Sequence, residues 1–171
     1  VCGCSIGWSK IITNGEIAAR PMTEVLFYHL KGQTLEQVLP SLLQKSLERG
    51  WRVVVQASSD ERVDGLDAHL WTWSDDAFLP HGTWREAEAA EHPILLTVNE
   101  DNPNGAGVRF LVEGAGMPGN AASYQRLVLL FDGEDPEAVE IARARWSEAK
   151  SAGFEVTYWQ ADDMGRWQRQ A

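Results

Sequence analysis

The chain has 171 residues and a net charge of −10, with 44% hydrophobic and 23% charged residues. That length favours a single domain, and that composition excludes intrinsic disorder, collagen and coiled coil. So acidic a chain is a poor general binder of phosphate backbones, which are gripped by Lys and Arg through counterion release; a role near nucleic acid would run through a protein partner or one local basic patch.

At the N-terminus, Lys10 interrupts the apolar stretch from Ile6 to Ile12, which leaves no core for a signal peptide. No apolar run is long enough for a membrane span. Residues 1–21 show no period and regular patterning begins at Met22, so Met22 is expected to be the natural start and 1–21 an upstream or non-native extension. Cys2 and Cys4 both fall in that segment. The rest lacks cysteine, which suits a reducing cytoplasm and excludes a disulfide framework. His29, His69, His81 and His92 have no ligand spacing among themselves, so no metal is expected.

Residues 24–29 alternate and are rich in strand formers. Thr34 and Gln37 have capping-box spacing ahead of a helix over 35–49, with Leu35, Val38, Leu39, Leu42, Leu43 and Leu47 on one face. Pro40 implies a kink or a later start, and Gly50 a stop. WRVVVQA (51–57) is a near-continuous apolar run, the mark of a strand buried on both faces. Asp60 is expected to cap a helix over 61–73 with Leu66, Leu70 and Trp73 on one side. ILLTV (94–98) and VRFLV (108–112) flank the turn-rich EDNPNGAG, which predicts a hairpin. LVLLF (127–131) is a further buried strand. Asp135 and Pro136 then open a helix to about Ala152, Gly153 ends it, and FEVTYWQ (154–160) is a last strand. Strands alternating with helices predict a single three-layer α/β domain over 22–160, with a mixed, mostly parallel, Rossmann-like sheet. Residues 161–171 read as a polar tail.

Gly114, Gly116 and Gly119 spell G-x-G-x-x-G after a strand, with Asp132 ending the next one. This is the sequence basis for an alternative reading, a small NAD(P)-binding oxidoreductase. Two features argue against it. Only Asn120 to Arg126 remain for the crossover helix, roughly 10 Å of helix, where such crossovers usually need a dozen residues. Pro118 also has no N–H to offer a pyrophosphate. No cofactor is therefore expected, and no catalytic constellation stands out: Ser58 and Ser59 lack a nucleophile elbow, and His81 has no nearby nucleophile in sequence.

Eight tryptophans are a high number for this length, and Trp is a favoured interface anchor. Trp71 and Trp73 point about 200° apart on a helix. One of them, with Phe78, Leu79 and Pro80, is expected to form an exposed apolar patch; otherwise both rings fold under the loop. On the helix from 136, Val139, Ala142, Trp146 and Ala149 form the inward stripe. Arg143, Ser147 and Lys150 form another, which could receive an acidic peptide or be a solvated face paired to Glu140 and Glu148. The segment Arg166-Trp167-Arg169 joins a stacking ring to two cations, the composition of a single-strand contact.

The order of these motifs resembles the chi subunit of bacterial DNA polymerase III, the HolC family. The residues that carry it are Phe27-Tyr28, Leu70-Trp71, Phe78-Leu79-Pro80-His81, Arg143-Ala144-Arg145-Trp146 and Ala152-Gly153-Phe154. The resemblance runs from Met22 to about Gln160. It implies a non-catalytic adaptor of the clamp-loader part of the replicase, cytoplasmic and replisome-associated, that meets DNA only indirectly. It also implies two partner contacts: the acidic tail of single-stranded DNA-binding protein at Arg143, Ser147 and Lys150, and the psi subunit or a helicase at Trp71, Phe78 and Pro80. The family's pattern has basic residues one turn to either side of Arg143, where this chain has Val139 and Ser147. Lys150 is the expected substitute.

Overall fold

A computed structural model describes residues 23–74, 78–162, 164 and 166–170; Cys2, Cys4, Asp75 and Asp76 lie outside them. The alternating pattern of the chain becomes β1 (Glu24–Leu30), α1 (Leu35–Glu48), β2 (Val53–Gln56), α2 (Asp60–Thr72), β3 (His81–Thr83), β4 (Ile94–Thr97), β5 (Val108–Val112), β6 (Arg126–Asp132), α3 (Pro136–Ser151), β7 (Glu155–Ala161) and β8 (Trp167–Arg169). The strands form one sheet in the order β3-β4-β2-β5-β6-β1-β7-β8. All neighbours are parallel except β7 and β8.

Side chains alternate across this sheet and divide the core in two. Val53, Val55, Phe110, Val128 and Leu130 face α1 and α2, meeting Leu39, Leu43, Leu66 and Leu70. Val25, Phe27, Leu127 and Leu129 face the other way, onto Ala142 and Ala149 of α3. The fold is therefore the expected three-layer α/β arrangement, with two helices on one face and one on the other.

Local chemistry fixes the helix ends. The Thr34–Gln37 capping box forms in both directions. At the other end of α1, Gly50 takes a φ of 80°, a conformation that glycine adopts without a Cβ penalty. Its N–H donates to the Leu47 carbonyl at 2.9 Å, and the Trp51 N–H to the Ser46 carbonyl at 3.0 Å, the two bonds of a Schellman stop. Pro40 does not delay the start of α1: it lies inside the helix. Proline cannot donate to the carbonyl four residues back, and a ring nitrogen of His69 in α2 takes the place of that donor, 2.6 Å from the Glu36 carbonyl oxygen. Ser59, not Asp60, caps α2, accepting from the Arg62 N–H. Asp135 caps α3 as expected, with Pro136 following.

Two expectations fail at the level of strand pairing. β4 and β5 are not a hairpin, since both pair in parallel with β2, one on each side. Residues 98–107 cross back over that strand, held by Asn104, whose side-chain amide donates to the Val53 and His92 carbonyls. The continuous apolar character of both runs was the signal, because a half-exposed hairpin would alternate. Within 161–171, expected as a tail, Trp167–Arg169 extends the sheet as β8. The Trp167 ring centroid lies 4.6 Å from that of Tyr28, so this indole is packed on the sheet and does not stand free for stacking.

Candidate partner-binding surfaces

In α2, Val63, Leu66 and Leu70 recur at three- and four-residue spacing and are buried. Trp71, about 100° further round the helix, is turned out. Its side chain is 57% exposed, and Phe78 beyond the helix is 67% exposed. Their ring centroids are 5.8 Å apart. Between the strand that follows and this pair, Leu79 is buried as an anchor and Pro80 is half-buried. Trp73 turns back against the core, so of the two tryptophans Trp71 is the exposed one. Trp71 and Phe78 therefore come together on one surface, with Pro80 two residues along the chain from Phe78.

His81, which sequence reasoning left without a role, supports that surface. Its ring centroid is 4.9 Å from that of Trp71. Nδ1 lies 2.6 Å from the Leu79 carbonyl oxygen and Nε2 3.1 Å from the Asp67 carboxylate. The ring thus joins α2 to the loop that carries Phe78. The Pro-His pair at 80–81 was the available signal, but only the fold shows that it backs Trp71.

The second surface is the outer side of α3. Ala142 and Ala149 are buried against the sheet, and the small side chains let the helix pack closely. Trp146 packs edge-on against Phe27, with centroids 5.3 Å apart. Arg143, Ser147 and Lys150 are all exposed. The Lys150 ammonium lies 5.5 Å over the Trp146 ring. Glu148, a possible partner for this stripe, instead pairs with Arg145 at 3.2 Å. Among the described residues neither Arg143 nor Lys150 is in an ion pair.

β7 adds a wall to this stripe that the sequence reading missed. The Tyr158 ring lies 6.3 Å from Trp146 and 6.4 Å from Phe131, and its hydroxyl hydrogen-bonds Nδ1 of His29. Burial pushes the Tyr158 hydroxyl up from its ordinary range, and the Arg143 charge pulls it partly back. Burial also holds the His29 imidazole below its usual value, Lys31 adding to the effect and Asp132 opposing it. Arg143 thus stands beside an aromatic wall, a cation next to an apolar surface. The period-two spacing of Val156 and Tyr158 was the signal for a shared face, but not for which helix would cover it.

The glycine loop does not build a dinucleotide site. Residues 113–125 connect parallel β5 and β6, so β5 is not a hairpin arm, yet only a 3-10 turn, Ala121–Ser123, stands where a crossover helix would begin. The Gly119 N–H already donates to the Glu100 carboxylate at 2.9 Å. A cavity of about 760 Å³ lies next to the loop, at the carboxyl ends of β1, β5 and β6, and Glu113, Asp132, Glu134 and Asp135 line it. Two arginines line it too, Arg62 and Arg145, but both are already paired to glutamates, and the more numerous carboxylates would oppose a pyrophosphate. Among the described residues no group of His, Cys, Asp and Glu is placed to hold a metal ion, and no helix is long and apolar enough to cross a membrane.

The sequence matches the family described as "DNA polymerase III chi subunit, HolC" over residues 22–157. It is 26% identical over 91 residues to the probable DNA polymerase III subunit chi of Rickettsia prowazekii, covering 53% of this chain and 55% of that protein. It is also 26% identical over 138 residues to the DNA polymerase III subunit chi of Pseudomonas aeruginosa, covering 78% of this chain and 93% of the relative. The match thus spans about half the length of the first relative and nearly all of the second.

Proposed function

The chain belongs to the DNA polymerase III chi subunit family, and from that premise we propose that it links the clamp-loader part of the replicase to single-stranded DNA-binding protein. It acts by binding and carries out no reaction of its own. Its place is the replisome in the cytoplasm, and its main link to DNA runs through partners. Arg143, Ser147 and Lys150 receive the acidic tail of single-stranded DNA-binding protein. The observation that carries this assignment is the pair of exposed cations, Arg143 and Lys150, in no ion pair among the described residues of an acidic chain. They stand beside the Trp146–Tyr158 wall, which suits a peptide combining carboxylates with an apolar end.

Calorimetric titration with a synthetic tail peptide tests this reading. Wild type is expected to bind, more weakly as salt rises, because screening weakens exposed charge contacts. Arg143→Ala should lose about tenfold or more, as a charge-assisted hydrogen bond is worth about 1.5–3 kcal/mol. Unaltered binding by the variant, or none by wild type, would overturn it. The Trp71–Phe78–Pro80 surface supports a second contact, with the psi subunit or a helicase, because two exposed aromatic rings in mutual contact are interface anchors.

A further inference from the structure

Cations are scarce on this chain, and a second group of them converges away from α3. Lys45 and Arg49 project from the last turn and cap of α1, and Arg126 opens β6. All three line a small cavity of about 90 Å³ together with Tyr28, Ser46, Trp51 and four aliphatic or aromatic core residues, Phe110 and Val128 among them. The Arg49 and Arg126 guanidinium carbons each lie 5.0 Å from the Trp51 ring centroid. Among the described residues Lys45 and Arg49 are in no ion pair, and Arg126 has one, with Glu24 at 3.3 Å. The Tyr28 hydroxyl faces this group without a hydrogen-bond partner among the described residues. Burial pushes its ionisation up while Arg126 and Arg49 pull it partly back, which suits a neutral O–H donor.

We propose that Lys45, Arg49, Arg126 and the Tyr28 hydroxyl form an oxyanion pocket that holds a backbone phosphate of single-stranded DNA, with the Trp51 indole holding the two guanidinium groups beside it. Three cations and a free hydroxyl are the donor set a phosphodiester requires. The cavity is phosphate-sized and too small for a nucleoside. The family places the chain in a DNA polymerase, where that ligand is at hand. This is one local basic patch on an otherwise repulsive molecule, so the contact is weak alone and gains strength when a protein partner delivers the strand. It adds a direct contact to the function proposed above and does not depend on it.

The test is an NMR titration of the full chain, following the Trp51 indole and the arginine side chains, with octathymidylate as ligand and inorganic phosphate and the acidic tail peptide as parallel arms. Octathymidylate is expected to shift Trp51, Arg49 and Arg126, with affinity falling roughly threefold between about 50 and about 200 mM salt, as one neutralised phosphate implies. Arg49→Ala and Lys45→Glu, both at exposed positions, should abolish those shifts while leaving the rest of the spectrum and the tail-peptide response at α3 in place. Failure of octathymidylate to shift these groups at millimolar concentration overturns the proposal. So do equal responses to inorganic phosphate at the same concentration, which would mark a generic anion site, and selective shifts by the acidic peptide, which would assign the pocket to a protein.

Discussion

Arg109 carries a charge with no exposed surface, and its hydrogen bonds explain how. Nε and Nη2 donate to the Gln56 amide oxygen at 3.0 and 2.8 Å. Nη1 donates to the Asp101 carbonyl and the Tyr124 hydroxyl, and Nη2 also to the Asn99 carbonyl. All five guanidinium hydrogens therefore have acceptors, and the side chain ties β5 to the crossover loop before it. Arg109→Met would leave several buried acceptors unpaired, and a loss of about 2–4 kcal/mol in chemical denaturation is expected. His29 yields a pH prediction. Its folded pKa is lowered, chiefly by burial, so the unfolded chain binds the proton more readily. Its contribution is then fully present above the ordinary value of about 6.5 and is lost as pH falls from there through the folded pKa. Denaturation midpoints measured across that window should slope less in His29→Gln than in wild type; identical slopes would exclude His29 as the cause.

At the scale of elements, α1 shows how sequence and packing combine. The capping box and the glycine stop are local chemistry, and both ends of the helix were legible. Of the two readings of Pro40 the later start fails, since the helix begins at Leu35 and its compensation comes from another helix: His69 supplies a partner to the Glu36 carbonyl that Pro40 cannot reach. His69→Ala should destabilise the protein by about 1 kcal/mol. In a Pro40→Ala background, where the helix regains its own N–H, the same change should cost clearly less. Equal losses in both backgrounds would show that His69 does not act through that carbonyl. The β4–β5 error has a similar origin. Turn residues announce a change of direction, but not whether the chain returns beside its last strand or passes over a third.

Across the whole molecule the two candidate surfaces are well separated. Trp71 and Phe78 sit by α2 at the β3–β4 end of the sheet, whereas Arg143 and Lys150 lie on α3 over β6, β1 and β7. That is roughly 20 Å along the sheet at the usual strand spacing, and on opposite faces. Two partners can therefore occupy them together. Trp71→Ala is expected to leave tail-peptide affinity within about twofold, as distant sites without shared partners usually add; a larger change in calorimetry would reveal coupling through the sheet.

The sequence by itself determined the alternation of helices and strands, the capped ends of α1 and α3, the apolar runs that become central parallel strands, and the family. These are legible because each depends on neighbours in the chain or on a motif read in order. It also singled out Trp71, Phe78, Arg143 and Lys150, but left open whether each was core, paired or exposed. Only the tertiary structure decided that Trp71 faces out while Trp73 folds in, that Glu148 pairs with Arg145, and that Tyr158 walls the α3 stripe. Tyr28, Arg49, Trp51 and Arg126 show the reason most clearly, since they are spread over a hundred residues and share one cavity. Which side chains meet depends on strand order, and strand order is set by how the whole chain buries its apolar faces.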